Sequence, residues 1–334
     1  MRAVVVDEFG GPEVLVAREV PDPVAGPGQV LVEVVAANVM FLDTLVRRGW
    51  GEDYFAVAPP YVPGSGIVGR VAAVGAGVEP SWVGATVLTD TGTTDPESGL
   101  TQAPTDGYAE KVAVAAGELV RVPDGLDPLT ALAVLHDGPT ALQLAEAAGF
   151  EPGTWVLVAA ATGGAGSLVV QLARAAGARV VGAARGAAKL ELARELGAHE
   201  TVDYTEPDWV AEAVALTGGG AAVVLDGAGG ALGAAAFGAV ADGGRFVSYG
   251  TSGGEFTEVP GDAAERRGVS VTGLFDLPPL PPAARRAATV RALDLVAGGT
   301  IRPHVGATFP LERAAEAHAG LEGRTVLGKA LLVV

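Results

Sequence analysis

The feature that most constrains this chain is a glycine-rich turn between two apolar runs. Trp155-Val156-Leu157-Val158-Ala159 reads as a strand, Ala160-Ala161-Thr162-Gly163-Gly164-Ala165-Gly166 as a tight turn, and Leu168-Val169-Val170-Gln171-Leu172-Ala173-Arg174 as a helix. A helix that leaves a strand so abruptly aims its free N–H groups and positive dipole end at one point. That point suits a pyrophosphate. A full fingerprint would be G-x-G-x-x-G; here Ala161 holds the first position and Gly163 and Gly166 the second and third. An ordinary tight turn is the alternative, and the flanking strand and helix favour a dinucleotide site.

The period of the sequence changes around this unit. Up to about Leu126, short Val-rich runs alternate with Gly and Pro: Ala3–Val6, Val30–Val35, Ile67–Val74, Thr86–Thr89, Lys111–Val114 and Leu119–Val122. They predict a mostly β region, with Thr91–Asp106 as a polar surface loop. Further on, strands at Arg179–Ala184, Thr201–Asp203, Ala221–Asp226 and Arg245–Tyr249 alternate with helices at Thr140–Ala148, Lys189–Leu196, Asp208–Leu216 and Ala231–Val240. That alternation predicts a parallel sheet covered on both faces, with Val269–Thr272 as an edge strand. A proline-rich break at Leu277–Pro282 precedes a long helix from Ala283 to Ala297, and the chain closes on the apolar run Ala330–Val334. The expected division is 1–126, 127–273 and 274–334, the last segment rejoining the first.

Composition narrows the function. With 334 residues, 49% of them apolar, the chain has material for two cores. Its net charge of −17 repels nucleic-acid backbones and anionic lipid. No cysteine is present, so disulfides, thiolate nucleophiles and cysteine-based metal sites are excluded. The acidic pair Asp7-Glu8 argues against a signal peptide, and no apolar run is long enough to span a bilayer, so a cytoplasmic protein is expected.

The end of the second strand bears on the cofactor. A carboxylate there would bond a ribose 2′-hydroxyl; instead Arg185 and Lys189 follow Ala184. Two cations suit a 2′-phosphate, so the expected cofactor is NADPH, held on Thr162, Gly163, Gly164, Ala165 and Gly166 with Arg185 and Lys189 at the far ribose. The alternative is a solvated Arg and a Lys in the first turn of a helix.

Several further motifs stand in a fixed order: the opening MRAVVVDEFGGPEVL, Pro63-Gly64-Ser65-Gly66-Ile67-Val68-Gly69, Gly107-Tyr108-Ala109-Glu110, Val247-Ser248-Tyr249-Gly250 and Gly328-Lys329. With the glycine turn they resemble, nearly end to end, the zinc-independent quinone oxidoreductases (the zeta-crystallin group) of the medium-chain dehydrogenase/reductase superfamily. The resemblance implies an α/β architecture: a Rossmann-type doubly wound parallel sheet inserted in a mostly β, GroES-like catalytic domain. It implies NADPH-dependent reduction of quinones or α,β-unsaturated carbonyls, commonly by homodimers. It places Thr140 near the nicotinamide and Tyr204 near the adenosine phosphate. Gly227, Tyr249, Gly250 and Ser252 cross the cofactor, and Arg324 reaches it from the C-terminal lobe.

The zinc-dependent dehydrogenases of this superfamily bind catalytic metal at positions that align with Met40, Ser65 and His136. One imidazole beside Met and Ser does not build a tetrahedral zinc site, so chemistry without metal is expected. Their proton-relaying hydroxyl aligns with Leu42. Relatives often carry Asn at the Met40 position and Tyr at the Leu45 position, so this pocket is expected to be more apolar. His136 is the candidate proton donor, the alternative being a histidine that bonds backbone. Asp137 could orient its ring. Tyr54, in the loop Gly49–Pro63 with Trp50 and Tyr61, is the candidate for stacking on a planar acceptor. Tyr61 is expected to pack the loop, and Asp43 to bond backbone or Arg47. His199, His304 and His318 show no partner pattern. Two other functions remain open: a ketone or aldehyde reductase, and a protein that binds NADPH without catalysing.

Overall fold

The computed structural model describes residues 1–51, 56–92 and 103–334. Tyr54 lies outside the described residues. The chain divides into two compact units. One comprises residues 1–136, 289–293 and 304–334, the other residues 137–288 and 294–303. Both extend past the expected breaks at 126 and 273. The helix Pro128–Leu132 stays with the first unit because it packs on the strands Gln29–Val39 and Gly66–Val74.

The first unit is built on the strand Gln29–Val39. Gly66–Val74 pairs antiparallel along one side of it, and Lys111–Ala115 and then Lys329–Val333 along the other. Burial alternates from Gln29 to Val35, then becomes continuous from Ala36 to Val39, where the C-terminal strand joins. Tertiary pairing therefore ties the last residues of the chain to an early strand. The strand Val305–Pro310 adds parallel to Lys329–Val333, with the helix Ala314–Glu322 between them in sequence. Three of these elements were not legible in the sequence: the strand Leu15–Glu19, which pairs with Arg2–Val6, the strand Val305–Pro310, and the seven-residue helix Phe41–Arg47. The expected surface loop Thr91–Asp106 is not solvated at its described ends. Thr91 is buried and its hydroxyl donates to the carbonyls of Gly64 and Thr105.

The second unit holds a six-stranded, fully parallel sheet. Its order is Glu200–Asp203, Arg179–Ala184, Trp155–Ala159, Ala221–Asp226, Val240–Ser248, Ser270–Gly273. Numbered within the sheet that is 3-2-1-4-5-6, the doubly wound order whose direction reverses between the first and fourth strands. Val156, Leu157 and Val158 are fully buried, as a strand covered on both faces requires. The expected edge strand is present at Ser270–Gly273. The expected helix Ala231–Val240 is shorter, Gly230–Phe237, because Val240 already pairs with Ala221. A register shift then absorbs Ala241–Gly244 before Arg245 pairs with Val223.

Candidate active site

In the second unit, loops converge where the strand order reverses. Ala160 leaves its strand at φ 57° and Gly163 is extended, so the helix Gly164–Ala175 starts at once. Its first intrahelical bond runs from Ser167 N–H to the Gly163 carbonyl. The amides of Gly164, Ala165 and Gly166 therefore point out of the helix end. A Cβ at Gly166 would lie 2.5 Å from the Ala160 carbonyl oxygen, so this glycine brings the helix down on the strand end. A Cβ at Gly164 would collide with the carboxylate of Asp137. Asp137 therefore lies against this helix end, and the partner of His136 is another carboxylate, described below.

The neighbouring loop is tied to the turn. Asp226 is fully buried at the end of its strand. Its Oδ1 accepts from the amides of Ala228 and Gly229 at 2.9 and 3.0 Å. Its Oδ2 accepts from Ser248 and Thr257 hydroxyls at 3.1 and 2.6 Å. Ser252 Oγ donates to the carbonyls of Gly227 and Ala228. The Tyr249 hydroxyl reaches both loops: a Cβ at Gly227 would stand 2.5 Å from it, and one at Gly166 3.1 Å. Burial, then the charges of Asp226 and Asp137, pushes that phenol well above its ordinary range. The turn that runs from Thr162 through Gly163, Gly164 and Ala165 to Gly166 thus lies beside Gly227 and the segment carrying Tyr249, Gly250 and Ser252. Thr140 lies in the first turn of the helix Asp137–Ala148 of the same unit.

A second corner forms beside it. Arg185 is exposed and caps the helix Gly186–Glu195, with Lys189 in its first turn. Tyr204 donates its amide to the Ala184 carbonyl. A carboxylate is present after all: Asp203, from the adjacent strand, accepts from Gly186 N–H at 2.8 Å and from the amide and hydroxyl of Thr205. Both its oxygens are thus engaged locally. Burial raises its pKa, but the Thr205 and Gly186 hydrogen bonds and Arg185 outweigh this and leave it lowered. A groove of about 440 Å³, lined by Gln171, Arg174, Arg194, Leu196, Thr300 and Arg302, lies at the opposite end of the glycine-turn helix.

The first unit carries the side-chain chemistry. His136 Nε2 lies 2.5 Å from Asp90 Oδ1 and 3.5 Å from Ser65 Oγ, and His136 Nδ1 lies 3.0 Å from Asn38 Nδ2. An amide N–H donating to Nδ1 leaves the proton on Nε2, so the network assigns an Nε2–H to Asp90 hydrogen bond. A Cβ at Gly66 would collide with this ring, which explains the small residue after Ser65. Sequence reading identified His136 but missed Asp90 and Asn38. They sit 46 and 98 residues away, on separate strands. Arg324, also in this unit, is exposed and held at φ 56° after the helix Ala314–Glu322.

Asp43 bonds backbone as expected, accepting from Met40 N–H at 2.8 Å, but its side-chain partner is Tyr108 rather than Arg47. Burial raises its carboxyl to about 6, against the hydrogen bonds from Met40 and Tyr108 and the charges of His136 and Lys329. Tyr61 pairs its backbone with Val6 and tilts its ring 6.5 Å from Phe9, a packing role. His318, which showed no pattern in sequence, is fully buried between Tyr108 and Arg47.

Known proteins share this fold. Residues 26–124 match the alcohol dehydrogenase GroES-like domain and residues 164–277 the zinc-binding dehydrogenase domain. The chain is 32% identical to a quinone oxidoreductase of Pseudomonas aeruginosa, over 97% of each chain. It is 31% identical to a 2-haloacrylate reductase of a Burkholderia species, over 99% of this chain and 98% of that one. Among solved structures, an NAD-dependent alcohol dehydrogenase superposes with a TM-score of 0.88 at 36% identity, and mycobacterial Rv1454c complexed with NADPH with 0.86 at 30%, each over the full length of both chains. Sequence, fold and site therefore agree: this chain is an oxidoreductase of the medium-chain dehydrogenase/reductase superfamily, in its zeta-crystallin-like quinone oxidoreductase family.

Proposed function

We propose that this protein is an NADPH-dependent reductase that delivers hydride to a quinone or an α,β-unsaturated carbonyl compound without a resident zinc ion. The observation that carries the reading is the convergence of the Gly163–Gly166 turn with the Gly227 and Tyr249–Ser252 loops at the sheet reversal. The outward amides of Gly164, Ala165 and Gly166 would hold the pyrophosphate, and Arg185 and Lys189 the 2′-phosphate. Asp203 already accepts three local hydrogen bonds, from Gly186 and Thr205, so Arg185 and Lys189 are the groups proposed for that corner. The NADPH complex of Rv1454c supports this choice over NADH, which the alcohol dehydrogenase neighbour uses.

Donor chemistry argues against zinc. Around His136 stand one carboxylate, one amide and one hydroxyl, and among the described residues no third histidine or carboxylate joins His136 and Asp90 to make the three protein ligands a catalytic zinc ion takes. NADPH, when bound, supplies a hydride to the electron-poor carbon of the acceptor. The resulting enolate or hydroquinone anion takes up one proton. We assign that proton to His136, whose Nε2–H faces Asp90 and the Ser65 hydroxyl and whose Nδ1 accepts from Asn38. Tyr54 remains the proposed aromatic wall, and Thr140 and Arg324 the proposed further cofactor contacts. The 2-haloacrylate reductase relative favours activated alkenes among the acceptors. Val271, on the edge strand Ser270–Gly273, is 43% exposed and offers an unpaired edge for a second copy, so a homodimer is proposed.

The test is to incubate purified protein with NADPH or NADH and a panel of quinones, enones, 2-haloacrylates and saturated ketones. Consumption of NADPH with the first three classes supports the reading. Turnover confined to saturated ketones would support a carbonyl reductase. Tight NADPH binding with no turnover across the panel would make it a non-catalytic binder.

A further inference from the structure

Within the first unit, five residues from three distant segments form one continuous buried chain. Glu322 Oε1 accepts from Arg47 Nη2 at 2.5 Å, and Arg47 Nη1 lies 3.2 Å from His318 Nδ1. His318 Nε2 lies 3.0 Å from the Tyr108 hydroxyl, and that hydroxyl 3.0 Å from Asp43 Oδ2. The same carboxylate oxygen accepts the Met40 amide. Asp43, Arg47, Tyr108 and His318 are each at most 1% exposed.

Chemistry leaves one direction for the protons. A guanidinium only donates, so His318 Nδ1 accepts. The ring proton then sits on Nε2 and is donated to the phenol oxygen. The phenol in turn donates to Asp43. Burial, then Arg47, holds His318 down to about 3, consistent with a neutral ring. The chain is therefore polarised from Arg47 to Asp43, with Arg47 also donating to Glu322 and the Met40 amide also donating to Asp43.

Such a chain is an expensive way to fill a core, because apolar side chains of the same volume are often as stable or more so. What it holds is informative. The helix Phe41–Arg47 is seven residues long, too short to persist on its own propensity. Its polar residues Asp43, Thr44 and Arg47 are buried, while Met40, Phe41, Leu42 and Leu45 are only partly covered. Apart from the buried Val46, the usual amphipathic order is reversed: polar groups anchor the helix from within, and the other apolar groups remain partly exposed.

We propose that Asp43, Tyr108 and His318 are positioning residues, holding Met40, Leu42 and Leu45 as the apolar wall against which the acceptor packs, without touching it themselves. The proposal rests on the reductase reading, and it names an acceptor with an apolar face rather than a polyhydroxylated or charged one. The groups facing Asp43 are Tyr108, Tyr61, His136 and Lys329, with Arg47 on its own helix.

Tyr108→Phe keeps the ring and deletes one hydroxyl, His318→Gln keeps a donor and an acceptor, and His318→Leu keeps neither. Tyr108→Phe and His318→Leu should raise the acceptor KM about tenfold and leave the NADPH KM within about twofold, since small displacements remote from the chemistry weaken a bound geometry. His318→Gln should recover most of the loss. Amide hydrogen exchange across residues 40–45 should quicken in the first two variants, and nitrogen NMR of the wild type should show an Nε2–H tautomer at His318. Lower melting temperatures with unchanged acceptor constants and unchanged exchange would overturn the proposal, as would equal rises in both KM values. Should the wild type reduce no acceptor, the reductase reading fails, while exchange and tautomer still decide the relay.

Discussion

The two units build their sites by opposite means. The second unit uses backbone: amides at a helix end, glycines that allow close approach, and a loop pinned by Asp226. The first uses side chains brought from far apart, His136 with Asp90 and Asn38, and Asp43 with Tyr108 and His318. Backbone sites are written in local sequence, because one turn and its flanking elements contain them. Side-chain clusters are written in pairing partners, and pairing is decided by the whole sheet. The first kind suits a ligand of fixed shape; the second can be altered by exchanging single side chains.

That contrast breaks most directly at Asp90. If the side-chain cluster supplies the proton, Asp90→Asn should lower kcat about 10²- to 10³-fold and leave NADPH affinity unchanged. Steady-state kinetics with a fluorescence titration of the cofactor would show it. An unaltered kcat would mean that solvent protonates the product.

The backbone site should fail in the complementary way. In Gly166→Ala, the new methyl would meet the Ala160 carbonyl at 2.5 Å, and the obstacle is main chain that cannot swing aside. Affinity for NADPH should fall roughly a hundredfold, about 3 kcal/mol, with the first unit's hydrogen-exchange protection unchanged. Calorimetric titration measures this. Retained affinity would show that the helix does not need its close approach to the strand.

The buried groups of the first unit also sharpen the comparison through pH. His318 is lowered to about 3, so the unfolded chain binds more protons below its ordinary range, and stability is lost as pH falls from about 6.5. Asp43 is raised to about 6, so between about 4 and 6 the folded chain binds more protons, and stability increases as pH falls. The two slopes oppose each other over that window. His318→Gln removes the first and should leave the Asp43 contribution unopposed by His318, a gain of about 2–3 kcal/mol between pH 6 and 4 relative to the wild type's net slope at these two groups. Urea unfolding at several pH values would reveal the reversal, and a slope unchanged from wild type would remove His318 from the account.

The smallest effect is expected at Arg185, an exposed residue. Arg185→Asp should raise the NADPH KM about tenfold and favour NADH, since one charge-assisted contact is replaced by repulsion. An NADPH KM and a cofactor preference unchanged from wild type would remove Arg185 from the choice of cofactor.

Much of the fold was legible because its signals are local. Trp155–Ala159 and Ala221–Asp226 read directly as strands, and the Gly163–Gly166 turn read as a strand-to-helix junction. The helix Phe41–Arg47 was not legible, because seven residues with Asp43, Thr44 and Arg47 turned inward carry no outward-polar pattern. His318 looked like an unremarkable helix residue for the same reason: its partners lie 210 and 271 residues away.

The sequence by itself determined the alternating parallel unit, the anion-ready turn, the cations after Ala184 and the absence of thiolate ligands, since each depends on neighbours in the chain or on composition. Only the tertiary structure decided that Asp90 rather than Asp137 holds His136, that Asp137 lies against Gly164, and that a buried relay anchors the Met40 turn. Those choices depend on strand pairing between residues tens to hundreds of positions apart, where a hydrogen bond is set by register and burial and no local pattern records the partner.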